Sequence, residues 1–68
     1  MSVTIKSTTI GNYYIKIYLD KYSPMYHVAL CRKESNWYCT TLDDRVYPTI
    51  EKAKRRYNLL VKRAKEEL

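Results

Sequence analysis

The last twenty-one residues of this chain, 48–68, constrain its fold more than any other stretch. Pro48 restricts Tyr47 to extended conformations, and Thr49 is placed to cap a helix, with Glu51 in a first turn where the helix dipole favours an anion. From there Ile50, Ala53, Tyr57, Leu60, Val61, Ala64 and Leu68 recur at a spacing that gathers them on one helical face. A helix with such a stripe must bury it. The remaining residues have to supply the surface it packs on.

Those residues alternate with the period of strands rather than helices. Val3 and Ile5 alternate with Thr4 and Lys6. Beyond a turn at Gly11-Asn12, Tyr13, Ile15, Ile17 and Leu19 alternate with Tyr14, Lys16, Tyr18 and Asp20. A loop over 20–24 ends at Pro24, since proline gives no donor to a ladder. A third strand is expected from Met25 to Lys33, with Tyr26, Val28 and Leu30 inward and His27, Ala29 and Cys31 outward. After the polar hairpin Lys33-Glu34-Ser35-Asn36 comes a fourth strand, Trp37 to Leu42. Two inward sets suit it, Trp37/Cys39/Thr41 or Tyr38/Thr40/Leu42. Asp43-Asp44-Arg45 reads as a polar connection leading to Val46-Tyr47-Pro48.

The order is β-β-β-β-α, and the expected fold class is α+β: a four-stranded antiparallel meander with one C-terminal helix packed on one face. At 68 residues there is room for one domain, with its sheet in 1–47 and a basic amphipathic helix in 48–68. A chain of this length buries only about 60% of its unfolded surface, so it depends on efficient packing. One helix covers one sheet face. The other face meets solvent or a partner.

Charge narrows the choice of partner. The formal charge is +6, and from Thr49 onward seven cations stand against three carboxylates, which concentrates positive charge on the helix. Lys52, Arg55, Arg56, Lys62 and Arg63 cluster opposite the core stripe, with Leu59 at the centre of the cluster. A basic element of this kind attracts polyanions or acidic protein surfaces. Its plainer role is to keep a helix face solvated.

Tyrosine occurs eight times and phenylalanine not at all, so part of the tyrosine must lie on an amphipathic outer surface. Tyr14, Lys16 and Tyr18 share one side of the second strand, with Thr4 and Lys6 expected beside them and His27 near. Rings interleaved with cations suit nucleic acid, where bases stack and phosphates pair. They equally suit a protein interface, including a homodimer through the exposed sheet face.

Other chemistries find little support. His27, Cys31 and Cys39 include metal-ligand residue types, and a three-residue hairpin over 34–36 would set the two cysteines opposite each other. They lack Cys-x-x-Cys spacing and a fourth ligand, so no metal site and no cofactor is expected. One histidine, scattered carboxylates and the absence of a glycine-rich loop offer no triad, carboxylate pair or phosphate cradle. A tyrosine nucleophile would need an arginine and histidine cluster in a pocket. The chain is expected not to be an enzyme. The opening MSVTIKSTTI has no apolar core of a signal peptide and no run approaches spanning length, so a cytoplasmic location with reduced thiols is expected.

From Tyr26 onward the layout resembles a known family. A strand (Tyr26-His27-Val28-Ala29-Leu30), a hairpin, a strand beginning Trp37-Tyr38, and Tyr47-Pro48-Thr49-x-x-Lys52-Ala53 opening a basic helix are similar to the amino-terminal arm-binding domains of phage and transposon tyrosine-family integrases. The resemblance implies a three-stranded sheet on one helix, with the sheet entering the DNA major groove. The first strand here is additional to that pattern. In size and style the chain also resembles small accessory proteins of phages and mobile elements, among them anti-CRISPR inhibitors.

The reading is therefore of a small non-catalytic binding module of phage or mobile-element type. It is expected to bind nucleic acid through Lys52, Arg55, Arg56, Leu59, Lys62 and Arg63 on the helix, or Tyr14, Lys16 and Tyr18 on the sheet. The alternative is a stoichiometric protein-binding inhibitor or adaptor that docks on an acidic surface of a nucleic-acid-handling enzyme.

Overall fold

A computed structural model describes residues 2–22 and 24–67. Four strands, β1 (Ser2–Ile10), β2 (Tyr13–Asp20), β3 (Tyr26–Lys33) and β4 (Cys39–Tyr47), form one antiparallel sheet in the order β1-β2-β3-β4. The helix α1 (Ile50–Glu67) crosses one face of it. This is the expected α+β meander.

The alternation in β2 does what it promised. Ile15 and Ile17 are fully buried, and their register partners Leu30 and Val28 carry the core into β3. From α1, Ala53, Tyr57, Leu60 and Ala64 complete that core, with Ile50 and Val61 half-buried at its margin. The alanines let the helix sit close to the sheet. Leu68, the last residue of the anticipated stripe, lies outside the described residues.

Local signals set the boundaries. Gly11 takes φ 57° in the two-residue β1–β2 turn, a conformation a Cβ would penalise. The Lys52 N–H donates to Thr49 Oγ1 at 3.3 Å, so Thr49 is the N-cap, one residue before the first helical position.

Two irregularities correct the expected facing. In β1 the register slips between Thr4 and Lys6, so Thr4 pairs with Tyr18 but Lys6 pairs with Ile17. This bulge at Ile5 turns Lys6 to the helix side, where its Nζ lies 5.2 Å from the centre of the Tyr57 ring. Lys6 is therefore not beside Tyr14, Lys16 and Tyr18. In β4 the register slips between Leu30 and Cys31, pairing Leu30 with Asp43 and Cys31 with Thr41 and leaving Leu42 as the extra residue.

The fourth strand is displaced along the chain. Asp43-Asp44-Arg45 lies inside β4 instead of forming a connection, because an edge strand can send charged side chains to water and to each other. Trp37 and Tyr38 fall in the β3–β4 loop, where the N–H groups of Glu34 and Ser35 donate to the Tyr38 carbonyl at 3.0 and 3.2 Å. Trp37 at that loop is 87% exposed. Of the two inward sets proposed for this strand, Thr40 and Leu42 turn to the helix side, with Leu42 lining a hollow against Leu60 and Ala64.

Candidate functional site

The predicted binding residues fall on two surfaces, one on each side of the molecule. Lys52, Arg55, Leu59, Lys62 and Arg63 are exposed on α1, whereas Tyr14, Lys16 and Tyr18 lie on the sheet face turned away from it. No single flat partner touches both.

On the helix, every cation except Arg56 is without an ion pair among the described residues, Lys52, Arg55, Lys62 and Arg63 included. The carboxylates of the sheet are engaged elsewhere: Glu34 with Arg32 at 2.8 Å, Asp43 with Arg45 and Arg56, Asp44 with the Tyr18 hydroxyl, and Asp20 with the Tyr22 N–H. Leu59 is 40% exposed among these cations. It borders an open hollow of about 380 Å³ whose other walls are Tyr47, Lys52, Arg55 and Arg56.

Arg56 departs from the expected set. Its position lies at the border between the core stripe and the cationic face, and its guanidinium turns toward β4. There Nη2 donates to Asp43 Oδ2 at 2.7 Å, with side-chain exposures of 18% for Arg56 and 24% for Asp43. That hydrogen bond holds the Asp43 carboxyl below the usual carboxylate range, against partial burial, which acts the other way; Arg45 adds to the lowering. Arg56 is thus a clamp between layers and not part of the free cationic array.

On the open sheet face, Tyr18 leans across β3. Its hydroxyl donates to Asp44 Oδ2 at 3.1 Å, its ring stacks on His27 at 4.8 Å with 18° between planes, and Lys16 Nζ lies 4.8 Å from its centre. Burial first, then the hydrogen bond and charge of Asp44, push the Tyr18 phenol above its ordinary value. A ring already packed against His27 and Lys16 is not a vacant stacking platform. His27 Nε2 is buried without a hydrogen-bond partner among the described residues.

The cysteines do not face each other. Cys31 pairs with Thr41, its Sγ 3.8 Å from the Thr41 hydroxyl, while Cys39 pairs with Lys33; both are free thiols. The loop is longer than the three residues that would have aligned them. Among the described residues no group of three or more His, Cys, Asp or Glu is placed to hold a metal, and no helix is long and apolar enough to cross a membrane.

Trp37 and Tyr22 are exposed aromatics outside the candidate set, and the spacing that reads Trp37 as part of a strand gives no sign of its loop position. The loop position becomes visible only once the β4 register is known. No protein-family model, no curated protein and no solved structure matches the chain.

Proposed function

We propose that the protein is a small non-catalytic binding module, of the kind phages and mobile elements use, that binds nucleic acid through the cationic face of α1. The observation that carries this reading is the unpaired state of Lys52, Arg55, Lys62 and Arg63 among the described residues, while nearby sheet carboxylates are already engaged. Cations left without internal partners are available to phosphates, and their neutralisation releases counterions. The sheet face contributes less to this reading, since Tyr18 is packed over and Asp44 sits among its neighbours.

The test is fluorescence anisotropy with duplex and single-stranded DNA and with RNA across a salt series. Four phosphate contacts predict a slope of about −4 in log K against log salt on duplex DNA. Absence of binding to any nucleic acid at low salt would falsify the reading.

One observation favours a second reading, docking on an acidic surface of a nucleic-acid-handling enzyme. Leu59 and Tyr47 give the cationic hollow an apolar side, as an anchor on a protein partner requires. Here Leu59→Asp abolishes a stoichiometric protein complex with the fold intact. In the first reading the same change weakens nucleic-acid binding only by its added charge.

A further inference from the structure

The sheet face turned away from α1 is organised in rows. The register sets Tyr18, His27 and Val46 in one row across β2, β3 and β4, Lys16, Ala29 and Asp44 in the next, and Tyr14, Cys31 and Thr41 in the third. The middle row runs cation, methyl group, anion. Lys16 and Asp44 are two strands apart and form no ion pair with each other or with another described residue. Between them Ala29 is 3% exposed, and Val46 in the adjoining row is 47% exposed.

We propose that this face pairs with the same face of a second copy about a two-fold axis parallel to β3. Such an axis carries β2 of one copy over β4 of the other and keeps each residue's position along the strand. Lys16 then faces Asp44 of the second copy, twice over. Ala29, at 3% exposure, lies beneath its neighbours and leaves the contact to the side chains around it, with Tyr18 over Val46. A two-fold axis running across the strands instead would stack Lys16 on Lys16 and Asp44 on Asp44. The charge pattern therefore selects one of the two face-to-face arrangements, and that one is closed and isologous, as stable homodimers are. The product is a two-sheet sandwich with a helix on each outer side.

Area sets the strength. With the axis on β3, only β2, β3 and β4 of the two copies overlap; three strands about 4.8 Å apart and about eight residues long present roughly 380 Å² per copy. The total of about 760 Å² falls below the usual range for a stable specific interface, so the dimer is a weak, transient one that dissociates on dilution. The inference does not depend on what the helix binds, because both cationic helix faces stay outward.

Sedimentation equilibrium on the full chain, with circular dichroism to show that each variant folds, tests the arrangement. The wild type is expected to move from 8.2 kDa toward twice that mass as concentration rises. Lys16→Asp and Asp44→Lys each weaken the dimer tenfold or more, and the double variant recovers it. In a Cys39→Ser background a short bismaleimide links Cys31 to Cys31, since Cys31 lies on the axis, and Asp44→Lys suppresses the link. A mass fixed at the protomer value at all concentrations overturns the proposal. So does a dimer indifferent to Lys16 and Asp44, as edge pairing through β1 would give, and so does a double variant no better than either single one. Should a charge variant fail to fold, the Cys31 cross-link in otherwise unaltered protein decides alone.

Discussion

Arg56 on α1 and Asp43 on β4 are joined at 2.7 Å, and this one pair ties the helix to the edge of the sheet it crosses. Asp43 also receives Arg45 Nε at 3.4 Å, so its carboxylate gathers two guanidinium groups on the helix side of β4. The pair sets Arg56 apart from the other six helix cations, none of which forms an ion pair among the described residues.

Replacing the carboxylate by an amide leaves the partly buried Arg56 with a neutral acceptor and no counter-charge. Asp43→Asn is expected to lower stability by about 1–2 kcal/mol, the range for a half-buried charge-assisted hydrogen bond. Urea unfolding followed by circular dichroism measures it, and an unchanged midpoint would show that the clamp carries no weight.

The same pair sets a pH dependence. The folded state holds the Asp43 pKa below its ordinary value, with the Arg56 hydrogen bond as the largest cause. A depressed carboxylate binds its proton more readily in the unfolded chain. Its stabilisation is therefore complete above the unfolded value of about 3.9 and is lost as pH falls through the lower folded value. Wild type is expected to lose stability below about pH 4 more steeply than Asp43→Asn, read from unfolding midpoints in an acid series.

Thr49 closes the first turn of α1 with its hydroxyl on the Lys52 N–H. Thr49→Ala should cost about 1 kcal/mol and Thr49→Ser very little, because serine keeps the acceptor. Equal losses for both variants would mean that the hydroxyl is not what caps the helix.

How far the sequence was legible follows from where each signal resides. Tyr13 to Leu19, the stripe from Ile50 to Ala64 and the Thr49 cap are written in local spacing, and all three are seen in the structure. The bulges at Ile5 and Leu42 are properties of a pairing between strands, and neither strand records its partner's register. Hence Lys6 was assigned to the wrong face. Asp43-Asp44-Arg45 resembled a loop because three charged residues in succession are costly in a central strand, and β4 is an edge. The angular position of Arg56 sits on a border, so its facing was decided by Asp43, thirteen residues earlier. On the candidate site, helical spacing placed Lys52, Arg55, Leu59, Lys62 and Arg63 on the exposed face but did not show the withdrawal of Arg56 or the covering of the Tyr18 ring.

Ile17 and Trp37 mark the two extremes of packing. Ile17 is fully buried beneath α1, while Trp37 stands in the β3–β4 loop. Ile17→Ala is expected to cost about 3 kcal/mol, and Trp37→Ala to stay within about 0.5 kcal/mol. Chemical denaturation of both variants checks the contrast, and a large loss at Trp37 would place that ring against the body of the protein.

The two candidate surfaces lie on opposite sides of the molecule, so mutation separates the proposed nucleic-acid surface on α1 from the sheet face. If phosphates meet α1, Arg55→Ala and Lys62→Ala each reduce nucleic-acid affinity, and each brings the salt slope closer to zero by about 1. Arg56→Ala leaves that slope unchanged, because Arg56 is held by Asp43, and it lowers stability instead. Lys16→Ala and Tyr14→Ala leave affinity per protomer unaltered at concentrations where the protein is monomeric. If instead the sheet variants abolish binding and the helix variants do not, the cations of α1 are solvation alone, and the binding surface is the tyrosine-bearing face. Anisotropy titrations of the five variants at two salt concentrations separate these outcomes, since a charge that meets phosphate changes the slope and a charge that meets only water does not.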